Sequence, residues 1–187
     1  MIFNVAQLLK AAVGTTRTYD VDEALPRLDD DVQLTEPVRG TVRFIRTNRG
    51  VLVDARLKTA AKEECSRCLD VYVEPLDIRF SEEYIPTVDV VTGQQVNIPH
   101  ESYAFLINER HELDLTPAVR EYGVLELPMK PLCRSDCAGL CPVCGVNLNQ
   151  QRCHCVVKPQ DERFAILESL LSEQETSEEQ SRSGEKN

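Results

Sequence analysis

The sequence predicts an α+β fold: an antiparallel β-meander core with a linking helix, a cysteine-rich zinc-binding segment and a C-terminal helix. Three observations carry that expectation. Apolar residues alternate with period two from 38 to 80, the mark of half-buried strands. Thr116-Pro117 opens a helical pattern, and six of the eight cysteines crowd into 133–155. The 187 residues are 42% hydrophobic and 28% charged, with 5% aromatics and no Trp. That is enough to bury a core, and it excludes a wholly disordered, collagen-like or coiled-coil chain.

Residues 2–13 read as a short strand or helix ending near Gly14. The stretch 21–31 is polar, acidic and broken by Pro26, which suits a loop. From Val38 the pattern becomes that of a strand, with Val38, Gly40, Val42 and Phe44 on one face and Arg39, Thr41 and Arg43 on the other. Thr47-Asn48-Arg49-Gly50 supplies a turn, and Val51, Val53, Ala55 and Leu57 resume the alternation as a hairpin. A third strand covers 71–80, with Leu76, Ile78 and Phe80 opposite Asp77 and Arg79. Cys65-Ser66-Arg67-Cys68-Leu69 lies between the second and third strands.

Residues 81–101 read as a long, partly acidic excursion, and 103–107 as a returning strand. Thr116 is the expected N-cap and Pro117 the first helical residue, where its missing donor costs nothing. Val119, Tyr122 and Leu125 continue the helix until Pro128 stops it. A second amphipathic helix is expected over 161–171. The polar end of the chain should be disordered. The domain reading is therefore a β-rich core with the linking helix over 1–132 and a zinc-binding segment packed on it over 133–158. A C-terminal helix over 159–172 and a disordered acidic tail over 173–187 complete it.

The cysteines stand at 65, 68, 133, 137, 141, 144, 153 and 155. No apolar run approaches the ~18–20 residues of a membrane span, and Gln7 and Lys10 interrupt an N-terminal stretch that lacks a basic lead-in. The protein is therefore expected in the cytoplasm, away from membranes. Reducing conditions there disfavour structural disulfides, so clustered thiols point to metal or redox chemistry. A structural zinc ion takes four tetrahedral ligands, and paired cysteines two to four residues apart meet it from one tight turn. Gly145, directly after Cys144, gives the backbone freedom that lets amides point at sulfur. Eight thiols make two four-thiolate sites, so the expected ligands are Cys65, Cys68, Cys133, Cys137, Cys141, Cys144, Cys153 and Cys155. Zinc is the expected ion and iron the alternative on such donors. One partition joins Cys65 and Cys68 to Cys133 and Cys137; its rival joins the two Cys-x2-Cys turns. The first is favoured because it lets Cys141, Cys144, Cys153 and Cys155 close locally, at little cost in loop entropy.

Other uses of the thiols fit less well. No βαβ pattern surrounds either Cys-x2-Cys as a thioredoxin-like redox pair would require. A catalytic zinc wants an open position, usually with His or carboxylate ligands. His100, His111 and His154 form no zincin or deaminase signature, and there is neither a phosphate-binding Gly loop nor a nucleophile elbow. No catalytic residue and no small-molecule substrate is expected.

Charge is unevenly spread. Residues 61–132 carry 6 basic and 14 acidic groups, whereas 133–158 carry 3 and 1, within a chain of net charge −10. A protein that grips nucleic acid by its phosphates should show a basic face. Arg39, Arg43, Arg46, Arg49 and Arg56 make a modest patch on two neighbouring strands, if they are more than solvent-facing positions.

Cys65-Ser66-Arg67-Cys68-Leu69, then Glu112-Leu113-Asp114-Leu115-Thr116-Pro117, then Leu127-Pro128-Met129-Lys130-Pro131-Leu132-Cys133 resembles the YceD family, described as large ribosomal RNA subunit accumulation proteins. Cys137-Ala138-Gly139-Leu140-Cys141-Pro142-Val143-Cys144-Gly145 with Cys153-His154-Cys155, and Asp161-Glu162-Arg163-Phe164, are similar to it as well. The resemblance implies a part in the synthesis, processing or stability of large-subunit ribosomal RNA. The charge split then suggests that the acidic region receives a basic ribosomal protein while the cysteine-rich stretch touches RNA. On that reading Arg39, Arg43, Arg134, Arg152 and Lys158 are the candidate RNA contacts. The expected role is non-enzymatic, with an RNA-processing hydrolase or a zinc-thiol redox sensor as the alternatives.

Overall fold

Strands dominate because apolar side chains recur at every second position through the middle of the chain. The structure, a computed structural model, describes residues 1–96 and 105–156. Its elements are β1 (Ile2–Asn4), α1 (Ala6–Leu9), β2 (Thr16–Glu23), β3 (Val38–Arg46), β4 (Val51–Glu64), β5 (Val71–Pro86), β6 (Phe105–Ile107), β7 (Glu112–Asp114) and α2 (Thr116–Leu125). The seven strands form one mixed sheet in the order β1-β7-β6-β5-β4-β3-β2. Strands β2 to β5 are an antiparallel meander, whereas β6 runs parallel to β5. By contacts the chain divides into two compact units, Met1–Gly139 and Leu140–Asn187, and the sheet belongs to the first.

The inward face follows the expected alternation. Val38, Val42 and Phe44 of β3, Val53 and Leu57 of β4, and Leu76, Ile78 and Phe80 of β5 are all buried. The sheet curls until its two edge strands meet, with the rings of Phe3 on β1 and Tyr19 on β2 centred 5.2 Å apart and Phe44 against both. Helix α2 covers the inward face of β5, where Tyr122 stacks on Phe80 and its hydroxyl donates to Glu82. No helix among the described residues is long and apolar enough to cross a membrane.

Several expectations are corrected. Residues 16–23 form a strand, so the loop expected from Val21 begins only after Glu23. The stretch 2–13 holds a short strand and then a one-turn helix whose C-cap is Lys10, not Gly14. Strand β5 continues to Pro86 through residues assigned to the acidic excursion. The β5–β6 pair breaks the all-antiparallel meander. Arg46 turns inward and donates to the Leu9 and Gly50 carbonyls, so it does not join the outward arginines. Arg49 lies in the turn, 3.8 Å from Glu83. The expected helix over 159–172 and the tail over 173–187 lie outside the described residues.

Helix α2 begins differently from expectation too. Leu115 occupies the N-cap, and Thr116 is already helical. The Asp114 carboxylate accepts the Thr116 N–H at 2.9 Å, satisfying one of the first-turn donors left without a partner inside the helix. Partial burial pushes the Asp114 pKa up, but the Thr116 hydroxyl and amide outweigh it and hold the carboxyl below its ordinary value. A lowered folded pKa gives stability that is present above the unfolded value of about 3.9 and lost as pH falls through the folded one. Asp114→Asn should therefore cost about 0.5–1 kcal/mol near neutrality. The gap between variant and parent should close under acid, as urea melts across pH would record.

Candidate metal centres

The β4–β5 hairpin ends in a knuckle. Cys65 follows β4 directly, its N–H donates to Asp70 O at 3.0 Å, and Leu69 N–H returns to Cys65 O at 2.9 Å. Leu69 takes φ of 60°, the left-handed conformation that closes the turn. The segment after α2 supplies the other half. Ser66 N–H donates to Pro131 O at 2.9 Å, and the Arg67 guanidinium donates to Cys137 O at 2.9 Å.

These bonds bring Cys65, Cys68, Cys133 and Cys137 together, every pair of sulfurs within 4.8 Å. Cys65 and Cys137 Sγ are 3.8 Å apart, and Cys68 and Cys133 Sγ are 3.7 Å apart. Thiolates about 2.3 Å from a tetrahedral ion stand about 3.8 Å from one another. Two of the six separations thus already match those around a tetrahedral ion, and the set as a whole could hold one. Cys65, Cys68 and Cys137 are buried, with Tyr72 and Leu132 packed against them.

The electrostatics match. The Cys133 amide, aided by those of Arg67 and Cys68, outweighs burial and brings the Cys65 thiol down to about 6. At Cys68 the Asp70 amide acts in the same direction, but burial and the neighbouring thiols win and push it up to about 12. Four thiols this close cannot all ionise unless a cation shares the space, and a divalent metal supplies that charge.

The second set, Cys141, Cys144, Cys153 and Cys155, lies within the Leu140–Asn187 unit, again with all sulfurs within 4.8 Å. Cys141 N–H donates to Val146 O and Gly145 N–H to Cys141 O, each at 2.9 Å. Gly145 has φ of 72°, a conformation glycine adopts without cost. The amides of Cys144 and Val143 lower the Cys141 thiol to about 6, the Val143 N–H lying 3.4 Å from its sulfur. Cys144 is exposed and Cys141 buried, so this set is the more open to solvent. Among the described residues no other group of three or more His, Cys, Asp or Glu side chains could hold a metal.

The candidate RNA contacts are dispersed. Arg39 lies 3.1 Å from Asp22 and Arg43 2.7 Å from Asp54, both on the outward face of the sheet. Arg134 is 3.4 Å from Asp136. Arg152 is exposed, and Lys158 lies outside the described residues. Sequence reasoning assigned no task to Arg67, whose guanidinium fastens the two halves of the first thiol set. Its position inside the Cys-x2-Cys turn was the available signal.

Comparison with known proteins adds to this geometry. A family model described as "Large ribosomal RNA subunit accumulation protein YceD" matches residues 53–171. The chain is 25% identical to the chloroplast large ribosomal RNA subunit accumulation protein YCED homolog 1 of Arabidopsis thaliana, over 94% of this chain and 59% of that protein. It is 31% identical to an uncharacterized protein of Mycobacterium tuberculosis, over 70% of this chain and 60% of that one. It is 27% identical to the uncharacterized protein YlbN of Bacillus subtilis, over 94% and 98% respectively. The match thus spans 59% and 60% of the first two relatives' lengths. No solved structure matches the chain.

Proposed function

The chain belongs to the YceD family, and from that membership we propose that it supports accumulation of large-subunit ribosomal RNA by binding, without catalysis, on a scaffold held by two structural zinc ions. The observation that carries the non-catalytic reading is the closure of each thiol set. Four thiolates fill the four positions of a tetrahedral ion and leave none for water or substrate. Zinc bound there supplies folding energy and no redox chemistry. Reduced, metal-binding thiols suit a cytoplasmic setting.

The partner on this reading is ribosomal RNA or a basic ribosomal protein of the large subunit. The ion pairs of Arg39 and Arg43 compete with phosphate for those side chains. The acidic balance over 61–132 instead favours a basic protein partner.

Depletion in the host cell should lower large-subunit relative to small-subunit ribosomal RNA, with restoration by the wild-type chain. An unchanged ratio would overturn the accumulation role. Cleavage of precursor RNA by the purified, metal-loaded protein would overturn the non-catalytic one.

A further inference from the structure

Strand β5 pairs with β4 from Val71 to Tyr84, but with β6 only over Tyr84–Pro86. On the side away from β4, therefore, residues 71–83 have no strand neighbour among the described residues. In an antiparallel strand the N–H and C=O of alternate residues point to opposite sides. Two facts fix which set faces outward here. Pro75 has no N–H to give β4, so it belongs on the free side. Thr87 N–H donates to Ile107 O at 3.0 Å, which places the odd-numbered residues on the β6 side. Val71, Val73, Asp77, Arg79 and Ser81 thus direct their backbone groups to a flank with no strand neighbour among the described residues.

We infer that this free edge of β5 is a docking site for an extended, lysine- or arginine-rich protein segment that adds to the sheet as a further strand. Long exposed edges are a liability that folds blunt with proline and charge. Pro75 interrupts this one at a single position and leaves donors on both sides of it. Val71 and Val73 remain 57% and 56% exposed at its start. Charge selects the occupant. The stretch 70–83 and α2 with its C-cap Glu126 carry seven carboxylates against two arginines. Arg79 is itself bonded to Asp77, and Tyr122 of α2 stacks on Phe80, so the second half of α2 lies against this strand. A polyanion is repelled by such a border, while a basic strand gains main-chain bonds and charge complementarity together.

The inference rests on the binding reading above and specifies its partner class. Amide hydrogen exchange on the zinc-loaded full chain tests it, using a synthetic peptide of alternating lysine and threonine as the probe. Alone, the amides of Val73, Asp77, Arg79 and Ser81 should exchange faster than those of Glu74, Ile78 and Phe80, which face β4. With peptide, the first set should slow by about tenfold or more while the second is unchanged. Val73→Pro removes one outward donor without touching the β4 ladder, and should weaken peptide binding while the protein stays folded. Unchanged outward amides at saturating peptide, or equal protection by single-stranded RNA, would overturn the inference. Unchanged amides alongside a normal depletion phenotype would fault the edge alone. Protected amides with an unaltered ribosomal RNA ratio would fault the accumulation role alone.

Discussion

Cys68→Ser is expected to abolish metal binding at the first thiol set and to leave the Met1–Gly139 unit largely unfolded under physiological conditions. The Cys68 sulfur lies 3.7 Å from that of Cys133 and the residue is 3% exposed, so a serine there leaves three thiols, two of them buried, around a site that no longer closes. Metal binding free energy in such sites is folding free energy, about 10–16 kcal/mol for small zinc domains, whereas a whole domain is stable by only about 5–15 kcal/mol. The set also fastens the β4–β5 knuckle to a segment 65 residues downstream, so losing it frees a long loop. Cys144→Ser should behave differently, because its sulfur is exposed and its partners lie nearby in sequence within the other unit. Metal per chain should fall from about two to about one there, with the unfolding midpoint of the sheet retained. Elemental analysis and urea melts of the two variants decide the matter. A Cys68→Ser protein with the parental midpoint would overturn the structural role of the metal.

The parts of the fold legible in the sequence are those whose pattern is local. Strands β3, β4 and the first half of β5 alternate cleanly because their inward residues are almost all apolar. Strand β2 does not, since its inward row is Arg17, Tyr19, Val21 and Glu23, and two of the four are charged. The extension of β5 is hidden for a related reason: a charged residue, Glu82, points inward, where it is partly buried and accepts from the Tyr122 hydroxyl. Period two says nothing about partners, so the parallel β5–β6 pair could not be read from it. At α2, Thr116 and Asp114 both have capping chemistry, and the structure uses the carboxylate.

The thiol sets were legible to a different degree. Ligand spacing marks short pairs, but joining Cys65 and Cys68 to Cys133 and Cys137 depends on the path of 64 intervening residues, which spacing does not encode. Loop entropy favoured the grouping the structure shows, because the alternative would forgo a local closure. Outward arginines were harder. Arg39, Arg43 and Arg56 do share a face, but the carboxylates that neutralise two of them come from neighbouring strands. The flank of β5 that lacks a strand neighbour among the described residues leaves no local pattern in the sequence, because an edge is defined by the strand that fails to pair there.

Gly40→Ala should be among the most damaging single-methyl changes in the sheet. Gly40 pairs with Val21 on one side and Leu57 on the other, in the middle of β3. Its φ is 152°, and a Cβ built there would stand 2.1 Å from the Arg56 carbonyl oxygen and 2.9 Å from the Leu57 Cα. Both obstacles are backbone, so no rotamer change relieves them; β3 and β4 would have to separate, straining the ladder that carries the core face. The cost should be about 2–4 kcal/mol, a fall in melting temperature of roughly 5–15 °C for a unit of this size. Gly93→Ala is the control. Its φ is 69°, but a Cβ there meets nothing within 4 Å, so only the left-handed penalty of about 1–2 kcal/mol applies. Equal melting temperatures for the two variants would mean that close approach of β3 to β4 at Gly40 is not what holds this sheet in register.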